Sequence, residues 1–250
     1  MFKGFYNLTS GMVSHSRRLD VVANNMTNVS TPGYKAELYT DSTFRDVMIS
    51  RIGNLDKRAP AELGTNMSYI LAPSQFYTDY TDGTYEETGL PLDFAIQGEG
   101  FFGIQQEDGV VYTRNGSFTL DEQGYLCFSG FGRVLGSNGD PIQFSTDNIT
   151  VDTAGNITTK DGGYVGQIGV FAFEDNGALE RNDYGFFTGE GAQPNTDVTI
   201  YNKMVERSNV ELVREMVAMM TTQRALQSAA QMSKIYDQVI MKATTELGRL

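Results

Sequence analysis

The chain has no tryptophan, one histidine and one cysteine in 250 residues. Each scarcity removes a class of chemistry. A single thiol, Cys127, cannot build a disulfide framework or a cysteine-rich metal site. A single imidazole, His15, has no neighbouring histidine or cysteine with which to hold a metal or complete a nucleophilic triad. No window approaches the roughly 18 uninterrupted apolar residues that a membrane span requires. After Lys3 there is no apolar run of the kind found in a cleaved secretion signal, only a patterned helix.

What is present is enough for a folded core: 40% of residues are hydrophobic and 20% are charged. The net charge of −12 is unevenly spread, at +3 in residues 1–35, −17 in 36–202 and +2 in 203–250. An acidic middle argues against a nucleic-acid partner, because phosphates demand a basic face. It reads instead as a solvated, solubilising surface.

Glycine divides the chain into zones. Only three of 27 glycines lie in 1–35 and one in 203–250. In the first zone Phe5, Leu8, Met12, His15, Leu19, Val22 and Met26 recur at steps of three and four, the spacing of one helical face. Thr31 precedes a proline and is pushed out of the helical region, and Gly33 accepts positive φ, so the helix ends by then. Residues 36–65 read as a connector, with Pro60 and Gly64 near its end. Residues 66–202 read as short strands separated by turns, and this zone is expected to fold without the helices. Asn115-Gly116, Asn138-Gly139 and Asn176-Gly177 carry hairpin-turn chemistry, and "ITVDTAGNITT" suggests a further hairpin.

The last zone, 203–250, reads as a long helix. Ser208 and Glu211 have capping-box spacing. Leu212, Met219, Leu226, Ser233, Ile240 and Leu247 then recur every seven residues, with Met216, Ala229, Tyr236 and Ala243 between them. A stripe this long is expected to face another helix, with the N-terminal helix as its natural partner and packing onto the β-rich middle as the alternative. The expected class is therefore α+β: a glycine-rich all-β middle flanked by two helices that pair as a coiled coil.

Two features tempt and fail. "GEGFFG", Gly98 to Gly103, has the spacing of a dinucleotide fingerprint, but the segment beyond it reads as a strand, whereas the fingerprint opens a helix. Cys127 alternates like a strand residue between Leu126 and Phe128, as a structural thiol would. No catalytic constellation emerges. The residues point to no enzyme, no cofactor, no metal and no small-molecule substrate.

The two ends and the middle carry a resemblance. "SGMVSHSRRLDVVANNMTNVSTPGYK" resembles the N-terminal signature of the bacterial flagellar basal-body rod and hook protein family. "ERSNVELVREMVAMMTTQRALQSAAQMSKIYDQVI" is similar to its C-terminal helix, and "LPLDFAIQGEGFFGIQ" with "DGVVYTRNGSFTLDEQGYL" is similar to the core of its rod-type members. The resemblance implies a structural subunit, proximal or distal, of the hollow rod that crosses the periplasm or cell wall. It implies export without a cleavable signal through the flagellar type III apparatus. The partners implied are copies of this chain and other axial rod and hook proteins. Assembly contacts would come from Leu8, Met12, Leu19, Asn24, Asn25, Asn28, Pro32 and Gly33 at one end. At the other they would come from Ser208, Asn209, Val210, Val213, Met216, Met219, Leu226 and Ile240. The reading from another class is a soluble β-domain that binds a carbohydrate or protein ligand and is oligomerised by its helix.

Overall fold

The three-and-four spacing at the N-terminus produces one helix, α1 (Phe2–Thr27). It stops where the Pro-Gly segment begins: Thr31 N–H donates to Asn28 O at 3.1 Å, Tyr34 N–H to Thr31 O at 3.3 Å, and Gly33 takes φ +67°. The computed structural model describes residues 2–43, 47–51, 61–67, 71–107, 109–144, 149–159, 162–182 and 184–247.

The C-terminal helix, α2, spans Leu212–Leu247. The capping-box spacing predicts a start at Ser208, and the structure corrects it. Residues Met204–Glu206 are a strand paired antiparallel with Tyr85–Glu87, and Asn209 is engaged by distant backbone. Ser208 Oγ accepts from Val210 N–H at 3.2 Å, a local serine turn. The chain is held extended until these partners are spent, so Ser208, Asn209 and Val210 precede the helix.

The chain divides into two compact units. One comprises Met1–Met26, Glu37–Tyr77 and Leu212–Leu250; the other comprises Thr27–Ala36 and Thr78–Glu211. In the first, the stretch read as a connector carries strands: Glu37–Thr43 pairs with Leu71–Thr78, and Val47–Arg51 with Ala61–Met67. Pro60 lies outside the described residues. Burial along α1 rises toward its end, where Val21, Val22 and Asn25 are buried.

The second unit is antiparallel throughout its paired strands. Its centre is the strand Phe101–Gln106, bonded to Gly109–Thr113 on one side, and to Gly132–Val134 and Val170–Ala172 on the other. Because successive strand side chains point to opposite faces, adjacent phenylalanines serve different clusters. Phe102 joins Phe94, Phe118, Leu126, Val134 and Ile157, while Phe101 joins Tyr112, Leu135, Phe171 and Phe187. The segment after "GEG" is thus a strand, which leaves no helix N-terminus there to hold a pyrophosphate. The middle is mostly β with one helix at each end, an α+β chain.

One turn recurs. Asp121, Asp152 and Asn182 each accept two backbone N–H groups through Oδ1, from residues two and four positions on. In each the fourth residue, Gly124, Gly155 or Gly185, has φ between +80° and +84°. This is a type I turn closed by a left-handed glycine, the three-residue hairpin solution. "ITVDTAGNITT" forms such a hairpin, joining Ile149–Val151 to Asn156–Thr159. Asn138-Gly139 also turns, with Gly136 N–H bonded to Asp140 O at 2.8 Å. Two other expectations fail. Gly109–Thr113 and Thr119–Leu120 pair with different neighbours, so Asn115-Gly116 closes no hairpin. A Cβ on Gly116 would lie 1.8 Å from Phe94 O, so this glycine serves close approach. Asn176-Gly177 lies in a single 3₁₀ turn capped by Asp175.

Candidate functional site

The residues singled out at the two ends fall into two groups, one in each unit. In the β-rich unit the Pro-Gly segment meets the residues that precede α2. Gly33 N–H donates to Glu206 O at 2.7 Å. Asn209 Oδ1 accepts from Ala36 N–H at 2.7 Å, while its Nδ2 donates to Asp79 O at 2.9 Å and Thr81 O at 3.1 Å. Tyr34, Ala36 and Val210 form a small buried cluster with Val29 against it. Arg181 lies over the Tyr34 ring at 4.2 Å and donates to Lys35 O at 3.0 Å.

At the centre is a buried ion cluster. Lys35 is 1% exposed and Glu206 0%, with Nζ–Oε1 at 2.7 Å. Arg114, 4% exposed, places Nη1 3.3 Å from Glu206 Oε2 and donates Nη2 to Gly98 O at 2.6 Å. The half-solvated Asp82 carboxylate is 3.7 Å from Lys35 and 3.6 Å from Arg114. Lys35 also donates to Thr81 O at 2.8 Å, and Glu206 Oε1 accepts Gly83 N–H at 2.9 Å. Burial pushes the Lys35 ammonium below its ordinary value, opposed by the Glu206 carboxylate. Nearby, burial pushes the Tyr85 phenol up to about 12; its hydroxyl donates to Ile96 O at 3.1 Å. Removing one member of a buried ion pair typically destabilises by about 3–5 kcal/mol, because the survivor keeps its desolvation penalty. Lys35, Arg114 and Glu206 escape a reading of the sequence because 171 positions separate Lys35 from Glu206 and 92 separate Arg114 from it.

In the helical unit Asn25 is the central polar residue, buried to 1% exposure. Its Oδ1 accepts from Glu37 N–H at 3.0 Å and its Nδ2 donates to Glu37 O at 2.9 Å. The side-chain amide thus pairs with one residue's backbone in both directions, as a neighbouring strand would. Asn25 also reaches Glu215 of α2 at 3.4 Å. Ser14 of α1 donates to Asp41. Leu8, Met12 and Leu19 are half-buried, as are Asn28 and Pro32; Asn24 is exposed and Gly33 buried. His15 is half-buried, and Cys127, on Leu126–Phe128, is also partly covered.

α2 presents two apolar faces. Met219, Leu226, Ala229, Tyr236, Ile240 and Ala243 are half-buried, with Thr222 buried among them. On the far side Val213 (68% exposed), Val217, Met220 and Ile235 face outward, Met232 and Val239 (60%) are exposed along the border of the half-buried stripe, and Met216 is also exposed. Two apolar faces on one helix exceed what a single packing partner covers. No described helix is long and apolar enough to cross a membrane.

Comparison with known proteins matches this layout from end to end. Residues 5–35 match the family described as flagella basal body rod protein, 95–159 the flagellar hook protein FlgE/F/G D1 domain, and 201–246 the flagellar basal body rod FlgEFG protein C-terminal family. The flagellar basal-body rod protein FlgG of Bacillus subtilis (strain 168) is 31% identical, over 97% of this chain and 98% of its own length. FlgF of Caulobacter vibrioides is 31% identical over 100% of both chains, and FlgF of Mesorhizobium japonicum 32% over 92% and 91%.

Proposed function

The chain belongs to the flagellar basal-body rod protein family, and on that premise we infer that it works as a structural subunit of the rod. The observation that carries the mechanism is the outward apolar face of α2. A helix of 36 residues is about 54 Å long at 1.5 Å per residue. Exposed valine, methionine and isoleucine along such a length are unfavourable in water, and mark a surface to be covered. We read the cover as helices of neighbouring copies, packed as a coiled coil through Leu8, Met12 and Leu19 of α1 and Val213, Met216, Met219, Leu226 and Ile240 of α2. Asn24, Asn25, Asn28, Pro32, Gly33, Ser208, Asn209 and Val210 then set where each helix departs from the β-rich unit. Other axial rod and hook proteins are the further partners, and the type III export apparatus is the delivery route to the cell envelope. The role is architectural, without enzymatic chemistry.

The test is Val213→Asp, on the outward face. A charge in an apolar helix seam destabilises by several kcal/mol when fully buried. The purified variant should keep its β-sheet circular dichroism yet be missing from isolated basal bodies, with loss of motility. Normal incorporation would overturn the assembly role of this face.

A further inference from the structure

The chain enters or leaves the β-rich unit at four points: before Thr27, after Ala36, before Thr78 and after Glu211. The three segments next to the last three points are laced to one another. Segment 33–36 is tied to 206–209 by Gly33 N–H on Glu206 O and Ala36 N–H on Asn209 Oδ1, both at 2.7 Å. Segment 79–84 is tied to both: Lys35 Nζ lies on Thr81 O, Gly83 N–H on Glu206 Oε1, Asn209 Nδ2 on Asp79 O, and Arg207 N–H on Thr84 O at 2.8 Å. Arg114 anchors the set to the sheet through Gly98 O. A Cβ on Gly83 would lie 1.9 Å from Arg207 O, so the segments touch backbone to backbone.

We propose that the Lys35–Arg114–Glu206 cluster is a latch that makes these three segments open together or stay shut together. Proteins ordinarily fray first where the chain enters or leaves a compact unit. Here, partial opening is penalised. Withdrawing 206–210 strands two buried cations, and withdrawing 33–36 strips Glu206 of its 2.7 Å Lys35 donor and leaves it to Arg114 alone. Withdrawing 79–84 leaves the Lys35 ammonium and the Asn209 amide without their carbonyl acceptors. Buried charged networks lose far more when half-satisfied than when replaced entirely. A pull on residues 37–77 or on α2 therefore meets all three segments at once. The inference concerns the chain by itself and holds whether or not the rod reading does.

Native-state hydrogen exchange on the full chain tests it through three amides whose acceptors the variants keep: Gly33, Ala36 and Arg207. In the natural protein they should share one protection factor, within about threefold, and lose it at one denaturant concentration. In Lys35→Met/Arg114→Met/Glu206→Leu, which fills the volume and leaves no lone buried charge, the three should separate by tenfold or more. Glu206→Gln, which keeps an acceptor and removes the charge, provides the same reading should the triple variant not fold. Amides already spread over tenfold in the natural protein, or still moving together in the variants, would overturn the latch.

Discussion

Gly33 shows how one position can be fixed twice over. Its φ of +67° is left-handed, and an added Cβ would lie 2.2 Å from Asn115 N and 2.3 Å from Arg114 C. Space and conformation both demand glycine, so Gly33→Ala should destabilise the β-rich unit by about 2–4 kcal/mol. Chemical denaturation followed by tyrosine fluorescence measures this, and an effect below about 1 kcal/mol would contradict the close approach. The need for a turn here was legible, because Thr-Pro-Gly forbids a continuing helix. What presses on the glycine was not, since Arg114 and Asn115 stand some eighty positions along the chain. Asn25 and Asn209 repeat the lesson. Asparagine favours turns and caps, yet Asn25 lies within α1, and only the folded chain reveals that the two amides take up the backbone of Glu37 and Ala36.

Among elements, turns with a local cause were the easiest to read. Asp152 closes its hairpin by itself, through bonds to residues at most four positions away. The Asn156 side chain, then the backbone amides of Asn156 and Ala154, hold its carboxyl below the ordinary value. A depressed carboxylate contributes stability above its unfolded pKa, near 3.8, and loses it as pH falls through the folded value. Asn182 performs the same bonding with an amide that does not titrate in this range. Asp152→Asn should therefore keep the hairpin while removing its share of the loss of stability below about pH 4. Thermal melts from pH 6 to pH 2.5 compare the two; an unchanged acid slope would show that the carboxylate contributes nothing to it. The onset of α2 was misread for the opposite reason. Ser208 and Glu211 have the right local spacing, yet pairing with Tyr85–Glu87 and with Ala36 pulls the segment into extended form. Distant partners outweighed local propensity.

At the scale of the whole molecule, composition showed a β-rich middle and helical ends, but contiguity misplaced the limits of the compact unit. The zone read as 66–202 contains part of the helical unit's strands and omits Lys35, Glu206 and Asn209. Cutting there leaves Arg114 buried without Glu206 and removes the strand Met204–Glu206. A fragment of 66–202 should melt well below one in which 27–36 is joined by a short linker to 78–211. Calorimetry of both decides, and equal midpoints would show that the added segments are dispensable. The covering of α2 has a different kind of consequence. A body with one adhesive face makes a pair and stops, because both faces are then hidden. On the proposed assembly, a helix whose own chain half-covers one stripe and leaves further apolar side chains exposed is not finished by its own fold: each copy that joins covers exposed side chains and brings more of its own. Addition of this sort is self-renewing, and only the boundary of the array retains a surface that still attracts. The end that grows is thereby told apart from the finished wall without any separate signal.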